Sequence, residues 1–164
     1  MSTTRVILAL GSNLGERQGI LSAAVADLVN HPKVHLVDIS PIIQTKSVGG
    51  PEDSPDYLNM VMAVDTELTP LELLAHCQAV ERMHHRVREV RWGPRTLDVD
   101  VIVFGELRSD DPALTLPHPR AAERAFVLVP WAAMDPTAEL NGTPVKELAI
   151  AAADYPDAEE LDEY

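Results

Sequence analysis

The chain has 164 residues, 46% of them apolar and 24% charged, the composition of a single globular domain long enough to bury a core. Its net charge of −13 excludes the broad basic coat of a general nucleic-acid binder. The lone Cys77 excludes an internal disulfide framework, and no apolar run reaches membrane length, so a cytoplasmic protein is expected. The apolar stretch in MSTTRVILALGSN is too short for a secretory signal and no cleavage site follows it.

In chain order, Arg5 to Leu10 reads as a strand that Gly11 stops. Asn13-Leu14-Gly15-Glu16 has capping-box spacing and predicts a helix over 14–30, with Ile20, Leu21, Ala24, Val25 and Leu28 inward. Residues 34–45 read as a second strand interrupted near Pro41. KSVGGPEDSPD, 46–56, is a loop, and 57–68 a third strand. Thr69-Pro70-Leu71-Glu72 combines an N-cap, a first-turn proline and an acid three residues on, and predicts a helix to about His85. An arginine-rich loop leads into a strand. Its alternation puts Leu97, Val99, Val101 and Val103 on one side and Asp98, Asp100, Ile102 and Phe104 on the other.

After Gly105 the chain reads as irregular through LTLPHPR. Residues 124–134 read as an apolar helix despite Pro130, and 145–151 as a last short helix. The segment 154–164 carries six acidic and no basic residues and is expected to be a mobile tail, leaving 1–153 as a single domain. The order strand, helix, strand, strand, helix, strand is that of a split β-α-β sandwich, with helices on one face of a mainly antiparallel sheet.

Two carboxylates on one strand face repel each other unless they share a cation. Magnesium suits such a pair, because it takes carboxylate oxygens together with waters and phosphates. The competing reading, two solvent-facing acids at a strand end, loses ground to what surrounds them. Arg82, Arg86, Arg88, Arg91 and Arg95 place five of the thirteen basic residues within fourteen positions. Arginine forks bind phosphate oxygens, so cations beside a metal-type carboxylate pair point to a nucleotide polyphosphate.

GSNLGER follows a strand but lacks the Gly-Lys-Ser/Thr ending of a P-loop and the third glycine of the dinucleotide fingerprint. Tyr57 and Asn59 share a strand face, and an aromatic ring beside an amide suits a flat, hydrogen-bonding heterocycle. Trp92 has little structural reason to stand in a polar loop unless it covers something; core packing competes for Tyr57 and Phe126. His118 lies between prolines, with Arg120 and Arg124 close in sequence. His84 and His85 beside Glu81 do not have zinc spacing.

LALGSNLG, PDYLN, RWGPRTLDVDVIVFG and LPHPRAAERAFVLVP together resemble the 6-hydroxymethyl-7,8-dihydropterin pyrophosphokinase family over most of the chain. The resemblance implies an α/β (α+β) ferredoxin-like sandwich, a mainly antiparallel sheet with helices packed on its faces. It implies transfer of diphosphate from ATP to the pterin hydroxymethyl group, releasing AMP, in folate biosynthesis. Asp98 and Asp100 look like the ligands of two magnesium ions. Arg86 and Arg95 join them as catalytic residues, and Gln78, Arg86, Arg88, Arg95, His118 and Arg124 look like the ATP site. Thr45, Val48, Tyr57, Asn59, Trp92 and Phe126 look like the pterin pocket. Lys46-Ser47-Val48 departs from a more proline-rich pattern, and the stretch between Arg88 and Trp92 is short. A monomer is expected, with small-molecule partners only. The rival readings are a sheet-based RNA-binding domain, disfavoured by charge, and a non-catalytic pterin-binding relative, disfavoured by the intact Asp98, Asp100, Arg95 and His118.

Overall fold

The computed structural model describes residues 2–12, 17–45, 57–88, 97–152 and 159–160. Apolar alternation builds its longest strands. β1 (Thr4–Ser12) lies between β4 (Tyr57–Thr66) and β5 (Asp98–Phe104), and β2 (Val34–Ile39) and β3 (Ile43–Thr45) both pair with the far side of β4. Every pairing is antiparallel. Ser40 joins β2 to β3: its hydroxyl accepts the N–H of Val61 at 2.8 Å, filling a gap in the ladder. Glu159–Glu160, within the acidic tail, form a two-residue strand against Ile43 and Gln44 of β3.

The helices cover both faces, not one. α1 (Arg17–Val29) and α2 (Pro70–Arg88) bury Leu21, Ala24, Leu28, Leu73, Cys77 and Val80 against Val6, Leu8, Leu10, Leu58, Met60, Met62, Val99 and Val101. The opposite face, with Ile7, Ala9, Val61, Ala63 and Ile102, receives Val127, Leu128 and Trp131 of α3 (Ala125–Met134). Val145 and Ala149 of α4 (Val145–Ala151) complete that second core. The order of the first six elements could not reveal this, because α3 and α4 come after them. The capping box of α2 is fully formed: Thr69 N–H donates to Glu72 Oε1 at 2.8 Å, and Glu72 N–H to Thr69 Oγ1 at 3.2 Å.

Three further expectations are corrected. β1 does not stop at Gly11 but runs to Ser12, since Gly11 pairs with both Asn59 and Asp98. The stretch after Gly105 is not irregular throughout: β6 (Ser109–Asp111) and β7 (Leu114–Leu116) form a hairpin. The side-to-side alternation of β5 breaks at a bulge, where Ile7 and Leu8 face Val103 and Val101 and leave Ile102 as the extra residue. Phe104 therefore joins the α1–α2 core and Val103 the α3–α4 side, the reverse of strict alternation. Among the described residues, no helix is long and apolar enough to cross a membrane. The capping box expected at 13–16 lies outside the described residues.

Candidate active site

The strand register assembles the site at one end of the sheet. Ile43, Asn59, Gly11 and Asp98 are successive partners across β3, β4, β1 and β5, and Asp100 stands opposite Ala9 one step further in. Period-two alternation puts Asn59, Gly11, Asp98 and Asp100 on the α3 side. With strands about 4.8 Å apart, Asn59 and Asp98 are about 10 Å apart at their backbones, and only glycine stands between them.

Asn59 is buried at 5% exposure. A Cβ added to Gly11 would lie 2.9 Å from Asn59 Oδ1, so the amide leans into the space the glycine leaves. Gly11 thus makes room for Asn59 within the candidate site, whereas its place in the sequence reads as a strand stop. The signal was its place in GSN, at the end of an apolar strand, where a turn was the readier explanation.

His118 reaches the same end from the segment after β7. Its N–H donates to Ile102 C=O at 2.8 Å, which anchors it two residues beyond Asp100. Its Nδ1 accepts the Arg120 N–H at 3.2 Å, so the neutral ring carries its proton on Nε2. Burial holds this histidine below its ordinary pKa; Asp100 opposes the shift, while Arg124 and Arg120 reinforce it. The ring is therefore a neutral donor near pH 7. Arg124, the residue before α3, lies over the Phe126 ring with its guanidinium carbon 5.4 Å from the centroid. A residue expected on ATP and one expected on the pterin are thus in contact.

Asp98 and Asp100 are half-buried at the start of β5. Val99, between them, donates its N–H to Glu81 Oε2 at 2.8 Å. Among the described residues, no cluster of three or more His, Cys, Asp and Glu could hold a metal on its own. The donor set is two carboxylates, which fits magnesium, since that ion completes its shell with waters and substrate phosphates.

Thr45 and Tyr57 are partners one step beyond Asn59 in the β3–β4 ladder, so their backbones lie beside the row. Arg86 and Arg88 form the last turns of α2. Gln78 is exposed on α2, next to buried Cys77, on the element packed against the other face. Val48, Trp92 and Arg95 lie outside the described residues. The register therefore brings together Asn59, Asp98 and Asp100, with Gly11 added; His118 is tied to β5 beside them, and Phe126 and Arg124 are joined to each other.

Residues 7–136 match the family model for 7,8-dihydro-6-hydroxymethylpterin-pyrophosphokinase. The chain is 45% identical over 148 residues to the 2-amino-4-hydroxy-6-hydroxymethyldihydropteridine pyrophosphokinase of Pseudomonas aeruginosa, covering 90% of this chain and 91% of that one. It is 42% identical to the protein of that name from Methylorubrum extorquens (92% and 94% covered) and 43% identical to that from Bacillus subtilis (83% and 81%). Among solved structures, a triple-mutant HPPK-DHPS chain of Plasmodium falciparum superimposes with a TM-score of 0.73 at 12% identity. That match covers 96% of this chain and 46% of the longer one, and it shows the shared fold. The chain belongs to the 7,8-dihydro-6-hydroxymethylpterin-pyrophosphokinase family, the pyrophosphokinases of folate biosynthesis.

Proposed function

We propose that this site transfers diphosphate from ATP to 6-hydroxymethyl-7,8-dihydropterin, releasing AMP, and that Asp98 and Asp100 would hold two magnesium ions for that reaction. The row Asn59–Gly11–Asp98 carries the reading. It sets a buried amide, suited to the polar edge of a bicyclic heterocycle, over a glycine and across from a carboxylate pair. A pterin lying over Gly11 would direct its hydroxymethyl group toward Asp98 and Asp100. Thr45, Val48, Tyr57, Trp92 and Phe126 complete its pocket in this reading.

In the reaction the acceptor hydroxyl oxygen forms a bond to the β-phosphorus of ATP. The bond from that phosphorus to the α,β-bridging oxygen breaks, and the hydroxyl proton is released. Bound magnesium would polarise the phosphoryl oxygens and lower the pKa of the attacking hydroxyl. His118, neutral with its proton on Nε2, donates to a phosphate oxygen without adding a charge beside Asp100. Arg86, Arg88, Arg95 and Arg124 take up phosphate charge, and Gln78 contacts the nucleotide. Arg124 is held by the Phe126 ring, so pterin contact and phosphate contact are set on one short segment. The enzyme acts as a cytoplasmic monomer in this reading.

The test is AMP formation from ATP and the hydroxymethyl-dihydropterin with magnesium. Product is expected with the metal and none with excess chelator. Chelator-resistant turnover, or ADP as the nucleotide product, would overturn the assignment.

A further inference from the structure

Glu81 has no assigned role in the reaction just described, yet its place in the fold ties it to the aspartate strand. It lies one turn after Cys77 on α2, at the i+4 position, and so continues the helix stripe that buries Leu73, Cys77 and Val80 against the sheet. A carboxylate on a core-facing stripe needs a polar partner. Its Oε2 accepts the N–H of Val99 at 2.8 Å.

β5 is the outer strand of the sheet, paired only with β1 among the described residues. In an antiparallel ladder a residue turns its N–H and C=O to the same side, and successive residues alternate. Val99 turns its N–H away from β1 to reach Glu81. Asp98 and Asp100 therefore turn their backbone groups toward β1, opposite Gly11 and Ala9. The backbone of the carboxylate pair is thus fixed from the sheet side at both aspartates and from the helix side at the residue between them.

We propose that Glu81 is a positioning residue that sets the separation of Asp98 and Asp100 by holding the Val99 amide, without itself touching metal or substrate. The inference rests on the assignment of those two aspartates as the metal ligands. The bond needs an acceptor oxygen at the right reach, not a negative charge. Glutamine keeps both the oxygen and the length; aspartate keeps the charge but is one methylene short; alanine keeps neither.

The experiment uses the full chain with Glu81→Gln, Glu81→Asp and Glu81→Ala, each checked for native circular dichroism. Mn2+ binding is followed by electron paramagnetic resonance in the presence of a non-hydrolysable ATP analogue, and exchange of the Val99 amide is followed by NMR. Glu81→Ala and Glu81→Asp are expected to weaken Mn2+ binding about 10-fold or more, the usual cost of removing a support of a metal ligand. Both should speed Val99 exchange. Glu81→Gln is expected to stay within about 3-fold of wild type in both measurements, since its amide oxygen restores the bond. Glu81→Gln failing as badly as Glu81→Ala would overturn the proposal in favour of a direct role for the charge. Unchanged Mn2+ affinity in Glu81→Ala would overturn it outright. Asp98→Asn and Asp100→Asn are titrated alongside. If they bind Mn2+ normally, the metal assignment itself falls, whatever Glu81 does to Val99.

Discussion

Beneath α1 and α2 the sheet is apolar except at the strand ends, where Ser12 and Thr66 are buried, whereas beneath α3 and α4 the apolar surface stops part-way along the strands. The first face runs through Val6, Leu8 and Leu10 on β1, Leu58, Met60, Met62 and Val64 on β4, and Val99 and Val101 on β5. The second starts with Ile7, Ala9, Val61, Ala63 and Ile102 and then gives way to Gly11, Asn59, Asp98 and Asp100. Helix length accounts for the difference. The nineteen residues of α2 rise about 28 Å and the ten residues of α3 about 15 Å, against about 33 Å for a ten-residue strand such as β4. A short helix covers less of each strand's length, and beyond it the same strands can carry polar chemistry without giving up the core behind them.

The largest effects should come from the open end. Asp98→Asn and Asp100→Asn each remove a charge meant for a cation. Each is expected to cost several kcal/mol of transition-state stabilisation, about 10³-fold in kcat. Circular dichroism should stay native, because asparagine keeps the shape and one acceptor oxygen of the side chain. Either variant turning over at near-normal rates would erase the contrast between the faces.

Leu8→Ala tests the closed face. Leu8 is fully buried against α1 and α2, and its truncation should cost about 2–5 kcal/mol in urea unfolding. The folded fraction should keep its kcat and both KM values. A selective loss of activity there would mean that the first core also tunes the site.

Gly11→Ala lies on the boundary. The new Cβ meets the far end of a side chain, so Asn59 moves and the strand stays. The pterin KM should rise about 10-fold, roughly 1.4 kcal/mol, with the ATP KM and the melting temperature little changed. Equal losses in both substrates would show that Gly11 supports the strand rather than the pocket.

How far the sequence reveals all this depends on the length of the signal. β1, β4, α2 and α4 are legible because apolar periodicity, or a complete capping box, extends over whole elements. Asp98 and Asp100 are legible as a pair because two acids share a strand face ahead of a buried run. Short-range devices are not. The β6–β7 hairpin has strands of three residues, too few to alternate, and the bulge at Ile102 reverses Val103 and Phe104 without any change of composition. Gly11 and Glu81 escape for another reason: each acts through a residue distant in sequence, Asn59 and Val99, and only the folded register shows the partner.

An effect on stability of the same small size belongs to Cys77, which probes how tightly the closed face is sealed behind the other. Burial pushes its thiol up to about 12, with the charges of Glu81 and Asp100 adding to the shift. At pH 8 the folded protein would then hold about one thiolate in 10⁴, and a disulfide reagent should label native protein at least about 100-fold more slowly than the unfolded chain. The same shift has a consequence for stability. The folded pKa lies above the unfolded value near 9, so the stabilisation is complete below about pH 9 and is lost as pH rises toward 12. Between pH 8 and 10 this one group should remove about 1.4 kcal/mol, which Cys77→Ala would abolish while other groups titrate equally in both proteins. Urea unfolding of the two proteins at both pH values measures the difference. Fast native labelling, or identical pH dependence, would mean that water reaches Cys77 past the end of α2, and that the carboxylates of the open face are not backed by a dry core.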